Sequence, residues 1–363
     1  MVSVLLVIIL SLCLLAVVLS DLEEWIRSPD PFYQDAPGQT QEYSSLPPAI
    51  PRAETGTGVT LELHPQGTQV LTYPQIYEKN LASVVSIQAF SQEEYSSGTG
   101  VILTRDGYVV TNAHVVAGAD AVQVQLWDNS QYTASLVGFD AREDLAVLKI
   151  DAQDLAPAEF GDSSALRCGD AVAAIGNSLG YSSTITQGIV SALDREVDVD
   201  GVSMVLIQTS APINFGNSGG ALINQYGQVV GITTVKIIAD DGSAEAMGFA
   251  IPSTRVKYVV DVLIAGEQVR TGVFGFTVLI SPAEQGGLEV LEVHPDSDAA
   301  AKGLQAGDII TAVNGQPVTS SQDLARVKLS LGPGDLVELT YLRGGESFTV
   351  EVALVDQELV ETD

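Results

Sequence analysis

From about residue 69 the hydrophobic positions come in short bursts: SVVSIQAF, TGVILT, GYVVTNAHVV, AVQVQLW, YTASLVGFD, LAVLKI, AVAAIG, GIVSAL, MVLIQTS, GALIN, VVGITTV and GFAIP. These runs are rich in Val and Ile and are bounded by Gly or Asp-Gly, a pattern that predicts strands joined by tight turns. Such strands, spread over about 190 residues without alternating helices, predict one or two antiparallel barrels rather than a doubly wound sheet. Two segments break the pattern with helical spacing, YPQIYEKNLAS at 73–83 and PSTRVKYVVDVLIA at 252–265, each with a Pro at its start. A second β-rich series then follows: GVFGFTVLI, LEVLEV, DIITAVNGQPV, DLVELTYLR and ESFTVEVAL, with SSQDLARVKLSL reading as a helix among them.

The N-terminus has another pattern. Residues 2–20 carry no charge; as a helix rising ~1.5 Å per residue they would extend ~28 Å, close to the apolar thickness of a bilayer. An uncleaved membrane anchor is the favoured reading. A cleaved signal peptide, cut before Asp21, is the rival. Both put the rest of the chain outside the cytoplasm. Residues 21–68 are rich in Pro, Gly, Ser, Thr and Glu, have no periodicity and read as a flexible linker.

Composition excludes several function classes. Lys plus Arg total 16 against 46 Asp plus Glu, a formal charge of −30. Such a surface repels phosphate backbones, so no nucleic-acid partner is expected. The two cysteines, one of them Cys13 in the apolar N-terminus, allow no disulfide framework in the folded part; with three histidines they supply no metal-ligand cluster, and no cofactor is required.

Three segments carry chemistry. His114 closes an apolar strand in TNAHVV, Asp144 opens one in DLAVLKI, and Ser218 stands among glycines in GNSGG. A serine hydroxyl is a weak nucleophile until an imidazole takes its proton, and the imidazole needs a carboxylate to fix its tautomer. Glycines around Ser218 would let the N–H groups of Gly216 and Ser218 converge on an oxyanion. Each signal alone is weak. Together, in the order His, Asp, Ser within one β-rich domain, they read as a catalytic triad. The other two histidines are poor rivals, His64 lying in the linker and His294 in the second domain.

TNAHVV, DLAVLKI, GNSLG and APINFGNSGGAL resemble the HtrA/DegP/DegS family of trypsin-like serine proteases, over roughly residues 69–356. The resemblance implies a mostly β fold, a chymotrypsin-like double β-barrel followed by one PDZ domain. His114 would be the general base, Asp144 its orienter, Ser218 the nucleophile, and Gly216 with Ser218 the oxyanion hole. Phe215 departs from the family, which often has Pro or a polar residue there. Ile213, with Ile232 and Val235, would form a small apolar S1 pocket suited to Val or Ala. The segment AAKGLQAGDIITAVNG is similar to PDZ domains, in which a peptide C-terminus adds to an edge strand; Val273, Phe274, Gly275 and Phe276 would hold it. Arg195 matches a loop arginine that senses the PDZ side. Tyr73, Ile76 and Tyr77 are candidates for a trimer contact, as a homotrimer is the family's assembly.

The domain division expected is an anchor or signal peptide at 1–20, a linker at 21–68, a protease domain at 69–266, a PDZ domain at 271–356 and an acidic tail at 357–363. One PDZ domain and a membrane anchor match the DegS branch. The function implied is an envelope endopeptidase acting on misfolded or signalling proteins, switched by C-terminal peptides at the PDZ domain. A silent protease fold serving as a binding module is a competing reading, disfavoured because all three triad residues are present. An α/β-fold esterase is disfavoured because it carries its serine at a strand-to-helix turn and its histidine last in the chain, whereas here His114 comes first and the serine lies between strands.

Overall fold

The strands read as unbroken apolar runs because both of their faces are buried. The computed structural model describes residues 45–92, 95–177, 183–199, 202–214, 216–234, 248–281 and 286–360, all within one unit spanning residues 43–363. Six strands, β1 (Val84–Phe90), β2 (Tyr95–Ile102), β3 (Tyr108–Thr111), β4 (Ala121–Gln125), β5 (Gln131–Asp140) and β6 (Leu145–Ile150), close into a barrel in the order β1-β2-β3-β6-β5-β4. A second barrel is formed by β7 (Ala171–Gly176), β8 (Thr184–Val199), β9 (Val202–Thr209), β10 (Ala221–Asn224), β11 (Val229–Thr234) and β12 (Gly248–Pro252), in the order β10-β11-β12-β9-β8-β7.

Side chains alternate between two kinds of core. Val109 and Leu148 fill the first barrel, and Ala174, Leu222 and Ala250 the second. Their neighbours Val110, Val147, Ile175, Ile223 and Ile251 face the other way and join one cluster shared by both barrels. This shared cluster is the seam in which the site lies.

The first predicted helix is α1 (Tyr73–Asn80), continued by a tighter turn at Leu81–Ser83. Thr72 caps it, its N–H donating to Gln75 Oε1 at 2.9 Å. Ile76 is wholly buried in the seam cluster, so packing accounts for it and it is unsuited to a contact between subunits. The four-residue helix α2 (Ala113–Val116) carries His114. Helix α3 (Ser253–Ala265) lays Val256, Val259, Val260 and Leu263 on the outside of the barrels and ends at Gly266. It comes so close to β5 that a Cβ on Gly138 would lie 2.6 Å from Leu263 Cβ.

Residues 46–68 are not a free linker. Ile50 and Leu61 are buried; Ala53 N–H donates to Leu136 O at 2.9 Å and His64 N–H to Phe160 O at 2.7 Å. A few apolar residues and backbone pairing anchor a segment whose composition alone reads as unstructured. The N-terminal segment 1–20 and the linker up to residue 44 lie outside the described residues, and among the described residues no helix is long and apolar enough to cross a membrane.

The C-terminal module hangs on a stem in which β13 (Gly272–Val273) pairs with β20 (Val355–Asp356). Its sheet runs β14 (Phe276–Ile280), β15 (Leu288–Val293), β16 (Ile309–Val313), β18 (Leu336–Arg343), β19 (Glu346–Ala353), with the short β17 (Gln316–Pro317) paired to β16. Asn314 and Gly315, at φ 49° and 72°, make the tight turn expected of that dipeptide. Helix α4 (Asp298–Ala301) is capped by Ser297, and α5 (Ser321–Lys328) by a Ser320/Asp323 capping box. The predicted acidic tail begins as a short helix, α6 (Gln357–Val360); residues 361–363 lie outside the described residues.

Leu148 is fully buried inside the first barrel. Its replacement by Ala is expected to cost about 2–5 kcal/mol of folding free energy, measured as a shift of the urea midpoint. A cost below about 1 kcal/mol would contradict a close-packed barrel interior.

Candidate active site

The site is assembled across the seam. The β5–β6 turn presents Asp144, which has φ 50° and is 1% exposed. A positive φ at a non-glycine residue is uncommon and has to be held by its surroundings. The carboxylate faces His114: Nδ1 lies 2.8 Å from Oδ1 and 3.0 Å from Oδ2, and the His114 backbone N–H donates to Oδ1 at 3.1 Å. The acid therefore fixes both the ring and the short helix that carries it. Two further residues complete its shell. Thr234 Oγ1, from the second barrel, donates to Asp144 Oδ2 at 3.0 Å, and Asn112 Nδ2 donates to the Asp144 carbonyl at 3.0 Å.

Ser218 precedes β10 in the second barrel. It is buried, and its Oγ forms no hydrogen bond among the described residues; catalytic bonds of this kind are often long before substrate arrives. Gly216 and Gly219, at φ 103° and 79°, flank it. Gly219 has no alternative, because a Cβ there would collide with Thr99 O and Thr111 Oγ1. The N–H groups of Gly216 and Ser218 donate to no acceptor among the described residues, while Asn217, Gly219 and Gly220 all spend theirs. Two unspent donors beside a buried hydroxyl are what an oxyanion hole requires.

Thr99 ties this loop to the first barrel. It is fully buried on β2; its Oγ1 donates to Gly216 O at 2.7 Å and accepts Asn177 N–H at 2.8 Å, and its own N–H donates to Ser218 O at 2.8 Å. Thr111 Oγ1 in turn donates to Thr99 O at 2.7 Å. Thr99, Thr234 and Asn112 escape sequence reasoning because their role depends on contacts across the seam. The Gly98-Thr99-Gly100 triplet is a local signal, since glycines on either side of a buried threonine permit close approach.

The other expected site residues are partly brought together. Ile213 is half-buried against the second barrel's core, and a Cβ on Gly248 would meet its Cγ1 at 2.5 Å, so those two residues are neighbours. Ile232 is fully buried in the seam cluster, paired with Ala221 and Ile251; it is a packing residue there, not an exposed pocket wall. Val235 and Phe215 lie outside the described residues. In the module, Val273 belongs to the stem and Phe274 is buried in the core. Gly275, at φ 72°, packs against Ser297 and its carbonyl accepts from His294 N–H at 2.8 Å. Phe276 begins β14, which pairs among the described residues only with β15 and so leaves an outer edge. Leu279 and Ile280 are exposed along it. Arg195 is exposed on β8. The contact with the module is made by its neighbour: Asp194, buried at φ 51°, takes Arg326 Nε of α5 at 2.7 Å.

No group of His, Cys, Asp and Glu among the described residues could hold a metal. A buried serine hydroxyl, an imidazole held by a carboxylate and two unspent N–H donors are the parts that acyl-transfer chemistry requires. Thr99→Val removes the hydroxyl that holds the Gly216 carbonyl, leaving buried groups unsatisfied at about 1–3 kcal/mol. Phosphonylation of Ser218 by a fluorophosphonate probe should slow about tenfold or more, each tenfold being about 1.4 kcal/mol. Thr99→Ser should stay near wild type; equal rates in all three proteins would remove Thr99 from the site.

Family models match a trypsin-like peptidase domain at residues 98–232 and a PDZ domain at residues 272–354. The chain is 42% identical over 269 residues to a probable periplasmic serine protease of the do/HhoA type from Haemophilus influenzae, covering 71% of this chain and 58% of that protein. It is 36% identical to the periplasmic serine endoprotease DegQ of Escherichia coli, over 88% of this chain and 72% of that one. The chain thus spans a little over half the length of the first curated relatives it matches. Among solved structures it resembles the HtrA-type protease AlgW with tripeptide, at TM-score 0.62 and 34% identity over 79% of this chain and 98% of that one. With these matches in agreement with the two barrels and the C-terminal module, this chain belongs to the HtrA-type family of trypsin-like serine proteases.

Proposed function

We propose that this chain is an extracytoplasmic serine endopeptidase for misfolded or signalling proteins, regulated by peptides at its PDZ domain. The observation that carries the reading is the buried His114–Asp144 pair set beside a buried Ser218 whose neighbouring N–H groups are unspent. Ser218 attacks the scissile carbonyl, His114 takes its proton and later delivers it to the leaving amine, and Asp144 holds the imidazole's tautomer. Gly216 and Ser218 N–H receive the oxyanion.

The location is supported by periplasmic relatives. Residues 1–20 would serve as anchor or signal peptide, with the barrels at 69–266 as the protease domain, 271–356 as the PDZ domain and 357–363 as an acidic tail. Ile213 beside Gly248 favours a small aliphatic residue before the cut, such as Val or Ala, and Val235 would complete that wall. A substrate C-terminus would extend the module's sheet along β14, with its carboxylate in the loop 273–276. Structures of AlgW are described with a tripeptide and with a decapeptide, and a peptide ligand is the corresponding reading here. Arg195, next to the Asp194–Arg326 contact, would report the module's position to the activation loops. Tyr73 and Tyr77 remain the proposed trimer contacts.

The test uses the full chain in mild detergent and an unfolded model protein. Cleavage is expected, with Ser218→Ala abolishing it, kcat/KM higher for Val or Ala than for Lys before the cut, and peptides with apolar C-termini raising the rate. No cleavage with peptide binding intact would favour a binding module instead. A rate unmoved by peptides that do bind would remove the regulatory part, since a ligand shifts an equilibrium only by binding its states unequally.

A further inference from the structure

Asp144 sits in a left-handed conformation at a turn, and its own catalytic contacts do not explain what holds the turn. The preceding residue, Glu143, is engaged by Arg255 near the start of α3. Arg255 Nε donates to Glu143 Oε2 at 2.8 Å and Nη2 donates to Oε1, a bidentate pair whose side chains are 8% and 16% exposed. The guanidinium also lies over the Tyr258 ring, 4.8 Å from its centroid, and Nη2 reaches Thr271 Oγ1 at 3.4 Å. Asp140 closes the turn from inside, accepting the Arg142 and Glu143 N–H groups at 2.9 Å each.

We infer that Glu143 and Arg255 are positioning residues for the triad, holding Asp144 in its left-handed conformation and so setting the imidazole of His114. This rests on the protease reading above. The fork fixes the Glu143 side chain on α3, an element that packs on both β5 and β6, so the turn cannot rotate without breaking two charge-assisted bonds in a buried setting. The charges respond accordingly. Burial alone would depress the Arg255 pKa, yet the hydrogen bond and charge of Glu143 hold it above its ordinary value. Burial raises that of Asp140, which lies in the same turn.

A structural role and a positioning role can be separated. Glu143→Gln and Arg255→Met each leave a buried charge alone and should lower Tm. The double variant removes both charges and should recover much of that loss, as neutral replacements of buried pairs often do. A positioning role predicts that kcat does not recover: all three proteins should lose between about ten- and a hundredfold in kcat, with KM within about twofold of wild type. A second readout needs no turnover. The proton shared between His114 Nδ1 and Asp144 should give a downfield proton resonance in wild type and in Ser218→Ala, and shift or broaden in the double variant. A double variant with wild-type kcat, or a wild-type resonance, overturns the inference. If wild type itself cleaves nothing, the protease reading fails, while the resonance still decides whether this pair positions Asp144.

Discussion

His114 and Asp144 belong to the first barrel and Ser218 to the second, so the site exists only while the two barrels keep one relative position. The apolar seam holds them together, but apolar contact is non-directional and tolerates sliding. Direction comes from a few buried polar bonds that cross it. Thr234 of the second barrel reaches Asp144 of the first, and Thr99 of the first barrel reaches Gly216 and Ser218 of the second. In a dry interface each of these groups is costly to leave unsatisfied. A slip that keeps the apolar area but breaks these bonds is therefore unfavourable, and the geometry of catalysis coincides with the geometry of minimum polar loss.

Much of this was legible in the sequence, for identifiable reasons. Strands such as LAVLKI are legible because barrel interior and seam bury both faces, and the His114–Asp144 pair because both residues lie in short, chemically distinctive contexts. What depended on distant partners was not. Ile232 has the composition of a pocket wall and turns out to be a seam residue, as its pairing with Ala221 and Ile251 requires. Residues 46–68 look like linker because their few apolar anchors, Ile50 and Leu61, are separated by polar stretches with no period. Arg195 drew attention through its motif, whereas the contact to the C-terminal module uses Asp194. On an antiparallel strand adjacent residues point to opposite faces, and a bulge between Ala192 and Arg195 decides which one faces the module.

The charge balance has a structural side. With 16 basic residues against 46 acidic ones, three arginines are set on carboxylates largely withdrawn from solvent: Arg255 on Glu143, Arg326 on Asp194 and Arg343 on Asp308. A buried carboxylate without a partner is expensive, and the planar guanidinium fork satisfies it better than an ammonium. Other pairs are more open, among them Lys79–Glu159, Lys257–Asp261 and Arg105–Asp154.

Two of those arginines sit where separate parts of the molecule meet, and they differ in kind. Arg255 is buried, stacked and bidentate, and its surroundings include the stem, since Thr271 precedes β13 and Gln357 N–H donates to Thr271 O at 3.0 Å. Arg326 is 45% exposed at its side chain, although Asp194 is buried. Its open guanidinium is more accessible to salt than that of Arg255, although the buried Asp194 carboxylate still needs the partner. The module is thus tied at two places, at the stem close to the Asp144 turn through a buried fork and where α5 meets β8 through a half-open pair. Lys328 lies on the same helix, where burial lowers its pKa despite the nearby Glu196.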